Sequence, residues 1–156
     1  MAKARDIPGL SGEDEFRAAA AKVVEVRAQE LFDHAHGVLD TEDIERVHDM
    51  RVATRRLRAV LEIFAPCFPG KAHPAALRDV RRLADALGER RDPDVQIAWL
   101  ERYAAGAPAA DRPGVESMIA LLRERQAAAN RRLGEALLEM ERADLRGRLQ
   151  ALVGEA

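Results

Sequence analysis

The sequence predicts an all-α protein, an antiparallel bundle of five or six helices, on three observations. Ala, Leu, Arg and Glu dominate the 156 residues, while aromatic residues make up 4%; Ala and straight-chain residues lose little freedom in a helix. No window alternates apolar and polar residues for long enough to read as a half-buried strand. Apolar residues recur instead at helical spacing in segments separated by Pro and Gly. One domain fits this length, with enough chain to bury a core without staples.

Residues 1–10, which contain Pro8 and Gly9, are expected to be a flexible leader, and residues 11–156 a single helical domain. Ser11 and Asp14 resemble a capping box with Asp in the usual place of Glu. The helix they open runs through Phe16, Ala20, Val24 and Leu31 to about Gly37. Asp40 or Thr41 can cap a second helix, whose Glu42, Asp43 and Glu45 suit its positive N-terminal end. It stops before Pro66, in a turn ending at Pro69 and Gly70. Pro74 fits the start of a third helix that ends at Gly88. A connector, Glu89 to Asp92, leads to a fourth helix holding Val95, Ile97, Trp99, Leu100 and Tyr103, with Asp92 as its cap. Ala105 to Gly114 reads as a loop. Val115 to Val153 is helical again, either broken at Gly134 or continuous and bent.

The overall charge is −2, yet it is segregated along the chain. Residues 1–45 carry −6, residues 46–91 carry +6 and residues 92–156 carry −2. A basic block between acidic flanks points to an electrostatic partner. Within it runs Val47-His48-Asp49-Met50-Arg51-Val52-Ala53-Thr54-Arg55-Arg56-Leu57-Arg58-Ala59-Val60-Leu61-Glu62-Ile63-Phe64. At 100° per residue Met50, Ala53, Leu57, Val60, Leu61 and Phe64 form an apolar stripe, and His48, Arg51, Arg55 and Arg58 share an arc of roughly 80° beside it. Arg56 points elsewhere. Like charges at i,i+4 repel, and no acid on this arc intervenes before Glu62. An anion lying along the arc would relieve that repulsion. The competing reading is a solvated face neutralised by Glu25, Glu30 or Asp33 of the first helix. The third helix adds Arg78, Arg81 and Arg82 away from its apolar set, with Lys71 in the turn and Arg91 after its expected end. A short turn makes the second and third helices antiparallel neighbours, so two basic faces would meet in a groove. Arginine's planar fork donates two parallel hydrogen bonds to phosphate.

The run VHDMRVATRRLRAVLEIF, followed by LADALGERRDPDV, resembles the CHAD domain, the conserved histidine α-helical domain, most specifically over residues 41–104. That resemblance implies a helical bundle that binds inorganic polyphosphate in a basic channel and has no established catalytic activity. By position it implies contacts from His48, Arg51, Arg55 and Arg58, with Arg56, Lys71, Arg78, Arg82 and Arg91 as further candidates. A full domain of this kind resembles two helical halves facing across the channel, whereas one motif is present here. A homodimer that supplies the second half is therefore expected.

Other chemistries find less support. There is no HExxH, CxxC or two-histidine-plus-carboxylate pattern for a metal, and no cofactor is expected. His34 and His36 face different ways on a helix. No nucleophile with a positioned base is evident; phosphoryl transfer through His48 is the enzymatic alternative. Nucleic-acid backbone binding is the other rival, disfavoured by the lack of exposed aromatics, Asn and Gln in the basic block. Trp99 and Tyr103 read as core or dimer contacts. Cys67 reads as an ordinary thiol. With no recognisable targeting segment or apolar span, a cytoplasmic protein without membrane association is expected.

Overall fold

The computed structural model describes residues 3–155. These form five helices, α1 (Phe16–Asp33), α2 (Ile44–Ile63), α3 (Ala72–Gly106), α4 (Arg112–Arg142) and α5 (Leu145–Gly154), with a 3-10 turn at Ala65–Cys67 between α2 and α3. No strand occurs among the described residues. None of the helices is long and apolar enough to cross a membrane.

Several chain signals act differently from their sequence reading. Ser11 and Asp14 do bond reciprocally: the Ser11 N–H donates to Asp14 Oδ2 at 3.0 Å and the Asp14 N–H donates to the Ser11 carbonyl at 3.2 Å, while the Ser11 hydroxyl accepts from Glu13 N–H. They close a turn ahead of α1, which starts two residues after Asp14. Asp40 likewise accepts the Glu42 N–H in a local turn, and α2 begins at Ile44. Residues 3–10 lie outside the helices but are bonded to α1. Arg5 pairs with Asp33 at 2.6 Å, its N–H donates to Glu30, and Lys22 donates to the Gly9 carbonyl.

The largest correction concerns α3, which runs unbroken through Gly88 and Pro93 for 35 residues. An interior Gly costs only about 1 kcal/mol and an interior Pro about 3 kcal/mol. Packing outweighs both, because α3 and α4 share the largest contact in the bundle. Arg90 and Asp94, one turn apart, are fully buried there and paired with each other. Asp94 Oδ1 also accepts from Gln126 at 2.6 Å, and Asn130 accepts from Arg90 Nε at 3.0 Å. Asp92 is exposed inside the helix and caps nothing.

Of the two readings at Gly134 the helix is continuous there, and the chain breaks at Asp144, whose φ of 45° is left-handed. Its side chain accepts the Gly147 N–H at 3.1 Å and caps α5. A Cβ on Gly147 would stand 2.2 Å from Asp144 Oδ2, so the cap requires glycine there.

α2 and α3 are antiparallel neighbours. His73, near the start of α3, lies 2.7 Å from the Leu61 carbonyl near the end of α2. Arg91, well along α3, reaches the Ile44 carbonyl at the start of α2. The core joins Val24 and Leu31 of α1, Met50, Leu57 and Leu61 of α2, Val80, Leu83 and Leu87 of α3, Leu133 of α4 and Leu145, Leu149 and Leu152 of α5. At 1.5 Å per residue α3 outruns α2 by roughly 20 Å. That overhang packs on α4, around Ile97, Ala107, Leu122 and Ala129, which lie outside the main cluster.

Candidate functional site

α2 presents its apolar stripe as expected: Met50, Ala53, Leu57 and Leu61 are fully buried. The stripe fixes the helix's rotation, and His48, Arg51, Arg55 and Arg58 thereby fall along a rim on its outward side, which Arg58 joins to α3 through the carboxylate it shares with Arg81. Arg55 is exposed, and His48, Arg51 and Arg58 are half-buried. Half-burial of an arginine leaves its stem packed and its charged head in water.

One carboxylate enters this rim. Glu62 Oε1 accepts from Arg58 Nε at 2.9 Å and from Arg81 on α3 at 2.8 Å. Hydrogen bonds from Arg81 and then Arg58 hold the Glu62 carboxyl below its ordinary value. Arg51, Arg55 and His48 have no side-chain hydrogen bond or ion pair among the described residues. Lys71 is exposed just before α3, and Arg78, 63% exposed, reaches its neighbour Asp79 at 3.8 Å. Asp79 is itself held by Arg148 at 2.6 Å.

Three candidates stand elsewhere. Arg56 lies toward α1, where its charge joins that of Arg27 and the backbone N–H of Arg5 around buried Glu30. Burial alone would raise the Glu30 carboxyl; the Arg5 backbone N–H, Arg27 and the charge of Arg56 outweigh it and hold the group down. Arg82 lines a recess with Asp79, Ala136, Glu139 and Ala143, on the α4 side of α3. Arg91 is mostly buried, donating to the Ile44 carbonyl at 2.8 Å and to Glu45 at 3.3 Å. It clamps the start of α2 onto α3.

The acids of α1 do not neutralise the rim. Glu30 is engaged with Arg5 and Arg27, and Asp33 with Arg5 and Gln29. Arg81, seen in the sequence as a basic residue of the third helix but not among the implied contacts, is the α3 residue joined to the α2 arginines. Its distance from Glu62 in sequence hid the link; the antiparallel turn creates it.

Trp99 and Tyr103 are not core residues. They are 56% and 46% exposed, stacked on each other at 5.7 Å. Cys67 is a buried free thiol. Among the described residues, no group of three or more His, Cys, Asp or Glu side chains is arranged to hold a metal ion.

A family model described as CHAD domain matches residues 22–156, nearly the whole chain and well beyond the motif-bearing stretch. No curated protein and no solved structure gives a significant match.

Proposed function

The chain belongs to the CHAD domain family, and we propose that it binds inorganic polyphosphate, or a similarly phosphate-rich polyanion, along the α2–α3 rim without catalysing a reaction on it. The observation that carries this reading is the pair Arg51 and Arg55. They stand one helical turn apart on one face, with no ion pair or side-chain hydrogen bond to either among the described residues. Such a pair raises the free energy of the helix unless an anion lies across it. His48 and Arg58 extend the track along α2; Arg81, Arg78 and Lys71 flank it from α3. Arg56 and Arg82 stand outside it, and Arg91 acts by holding α2 in place.

A run of phosphates without bases needs only cationic donors, and these residues supply them. Competition against single-stranded nucleic acid separates the two partners. Polyphosphate should displace the protein from nucleic acid at much lower charge-equivalent concentration.

The direct test is titration of the purified protein with polyphosphate beside a variant carrying Arg51, Arg55 and Arg58 to Ala. Affinity should fall steeply while the thermal midpoint stays put. Equal affinity in the variant would end the proposal.

We also propose that the protein works in the cytoplasm as a homodimer whose second copy faces the open rim. Val95, Trp99 and Tyr103 on α3, with Met118 and Leu121 on α4, are exposed apolar residues on the overhang beyond α2. Exposed apolar side chains, with Trp99 and Tyr103 stacked on each other, support association with another copy.

A further inference from the structure

We infer that Glu62 is a built-in competitor for the anion track, an internal counter-ion seated where a ligand phosphate would otherwise lie. The inference rests on the polyanion reading above and concerns how that site is regulated.

At 100° per residue Glu62 falls within the arc of Arg51, Arg55 and Arg58, at its C-terminal end. One of its oxygens takes the donors of both Arg58 and Arg81, at 2.9 and 2.8 Å. It therefore occupies the two guanidiniums that link the α2 half of the track to α3, and leaves Arg51 and Arg55 open. The same carboxylate geometry is what a phosphate oxygen would adopt between two forks.

The pair is built to be displaced. The Glu62 side chain is 38% exposed, and those of Arg58 and Arg81 are 43% and 50% exposed. Ion pairs this wet are weak, and the freed carboxylate can be solvated at once. The buried Arg90–Asp94 pair has no such exit, with both side chains at 0% exposure. A ligand that first engages Arg51 and Arg55 brings its next phosphates to Arg58 and Arg81 at high effective concentration. It can then take over the position of Glu62. A glutamate carboxyl is ionised through the neutral range, and the hydrogen bonds from Arg81 and Arg58 favour that form further.

Displacement of one anion by another releases fewer counterions than neutralising bare arginines. Removing the charge of Glu62 should therefore change both affinity and salt dependence. The experiment titrates the full chain, Glu62→Gln and Glu62→Ala with tripolyphosphate and long-chain polyphosphate at several salt concentrations. Glu116→Gln, an equal charge change at an exposed position on α4, is the control for net charge. Both Glu62 variants should bind about three- to tenfold tighter than the parent, with a log–log salt slope steeper by up to about 0.7. Glu116→Gln should stay within about twofold of the parent. Unchanged or weaker binding by the Glu62 variants, or an equal gain from Glu116→Gln, would overturn the inference. If neither parent nor variants bind either phosphate chain, the polyanion reading itself has failed, and the competitor role falls with it.

Discussion

Arg91 of α3 donates a 2.8 Å hydrogen bond to the backbone carbonyl of Ile44, the first residue of α2, across 47 positions of sequence. The arginine that the family motif offers as a phosphate contact is spent on aligning the two helices that carry the others.

Arg91→Ala should accordingly cost about 1.5–3 kcal/mol of stability, the worth of a hydrogen bond from a charged group. Arg55→Ala, with no internal partner to lose, should stay within about 0.5 kcal/mol of the parent. Urea unfolding of the two variants checks this, and equal midpoints would sink the distinction between clamp and contact.

Binding of polyphosphate should weaken as salt rises. Each phosphate contact removed should flatten the log–log slope by about 0.7. Arg51→Ala and Arg55→Ala should each do so, whereas Arg56→Ala and Arg82→Ala, whose side chains lie toward α1 and toward α4, should not. A slope change from Arg82→Ala as large as from Arg55→Ala would misplace the track.

Acid should loosen the junction of leader and α1. Glu30 and Asp33 both have carboxyls held below their ordinary values. For Asp33, burial pushes upward but is outweighed by hydrogen bonds from Arg5 and Gln29 and by the charges of Arg5 and Arg146. A group with a depressed folded-state value stabilises the fold fully above its unfolded value, 4.5 for Glu30 and 3.8 for Asp33. That contribution is lost as pH falls through the lower folded-state value. Glu30→Gln, which leaves buried arginine charge uncompensated, should be destabilised by about 3 kcal/mol at pH 7. The gap from the parent should narrow below about pH 4; a gap that stays constant with pH would contradict the linkage.

Gly147→Ala should destabilise the α4–α5 corner, because the new methyl would collide with the Asp144 carboxylate. Asp144→Ala loses the cap and keeps the left-handed backbone, at a cost of about 1–2 kcal/mol. Asp144→Gly keeps the turn without strain and should lose less. Denaturant midpoints should rank parent, Asp144→Gly and Asp144→Ala in falling order.

Self-association should depend on the overhang. Trp99→Glu in the exposed stack should shift sedimentation toward the monomer at micromolar concentration, with helicity unchanged. A parent that sediments as a monomer under those conditions would remove the dimer proposal, leaving the single rim to bind alone.

Much of this architecture is legible residue by residue. The stripe from Met50 to Leu61 set the rotation of α2, and that rotation put Arg51, Arg55 and Arg58 together on the rim. Pro66, Pro69 and Gly70 marked the α2–α3 turn, and the antiparallel pairing followed from its shortness. Gly88 and Pro93 do not break α3 because local propensity is worth only a few kcal/mol, less than the apolar packing of α3 on α4 around Ile97, Leu122 and Ala129. The corner at Asp144 carried a faint signal in the spacing of Asp144 and Gly147, and Gly134 drew attention away from it. Arg56 and Arg82 stood among the candidates because the motif groups arginines by sequence, while helical rotation disperses them.

Sequence alone determined that the chain is helical, that one segment concentrates positive charge, and that a single helical face carries much of it. Those properties are local: they depend on side-chain type and a fixed 100° step. Which charges remain open was decided by tertiary structure alone. Whether an arginine meets water, a carbonyl or a carboxylate depends on what the other helices bring within about 3 Å of it. For Arg91 that was a helix start, for Arg56 the buried acid of α1, and for Arg58 the carboxylate it shares with Arg81.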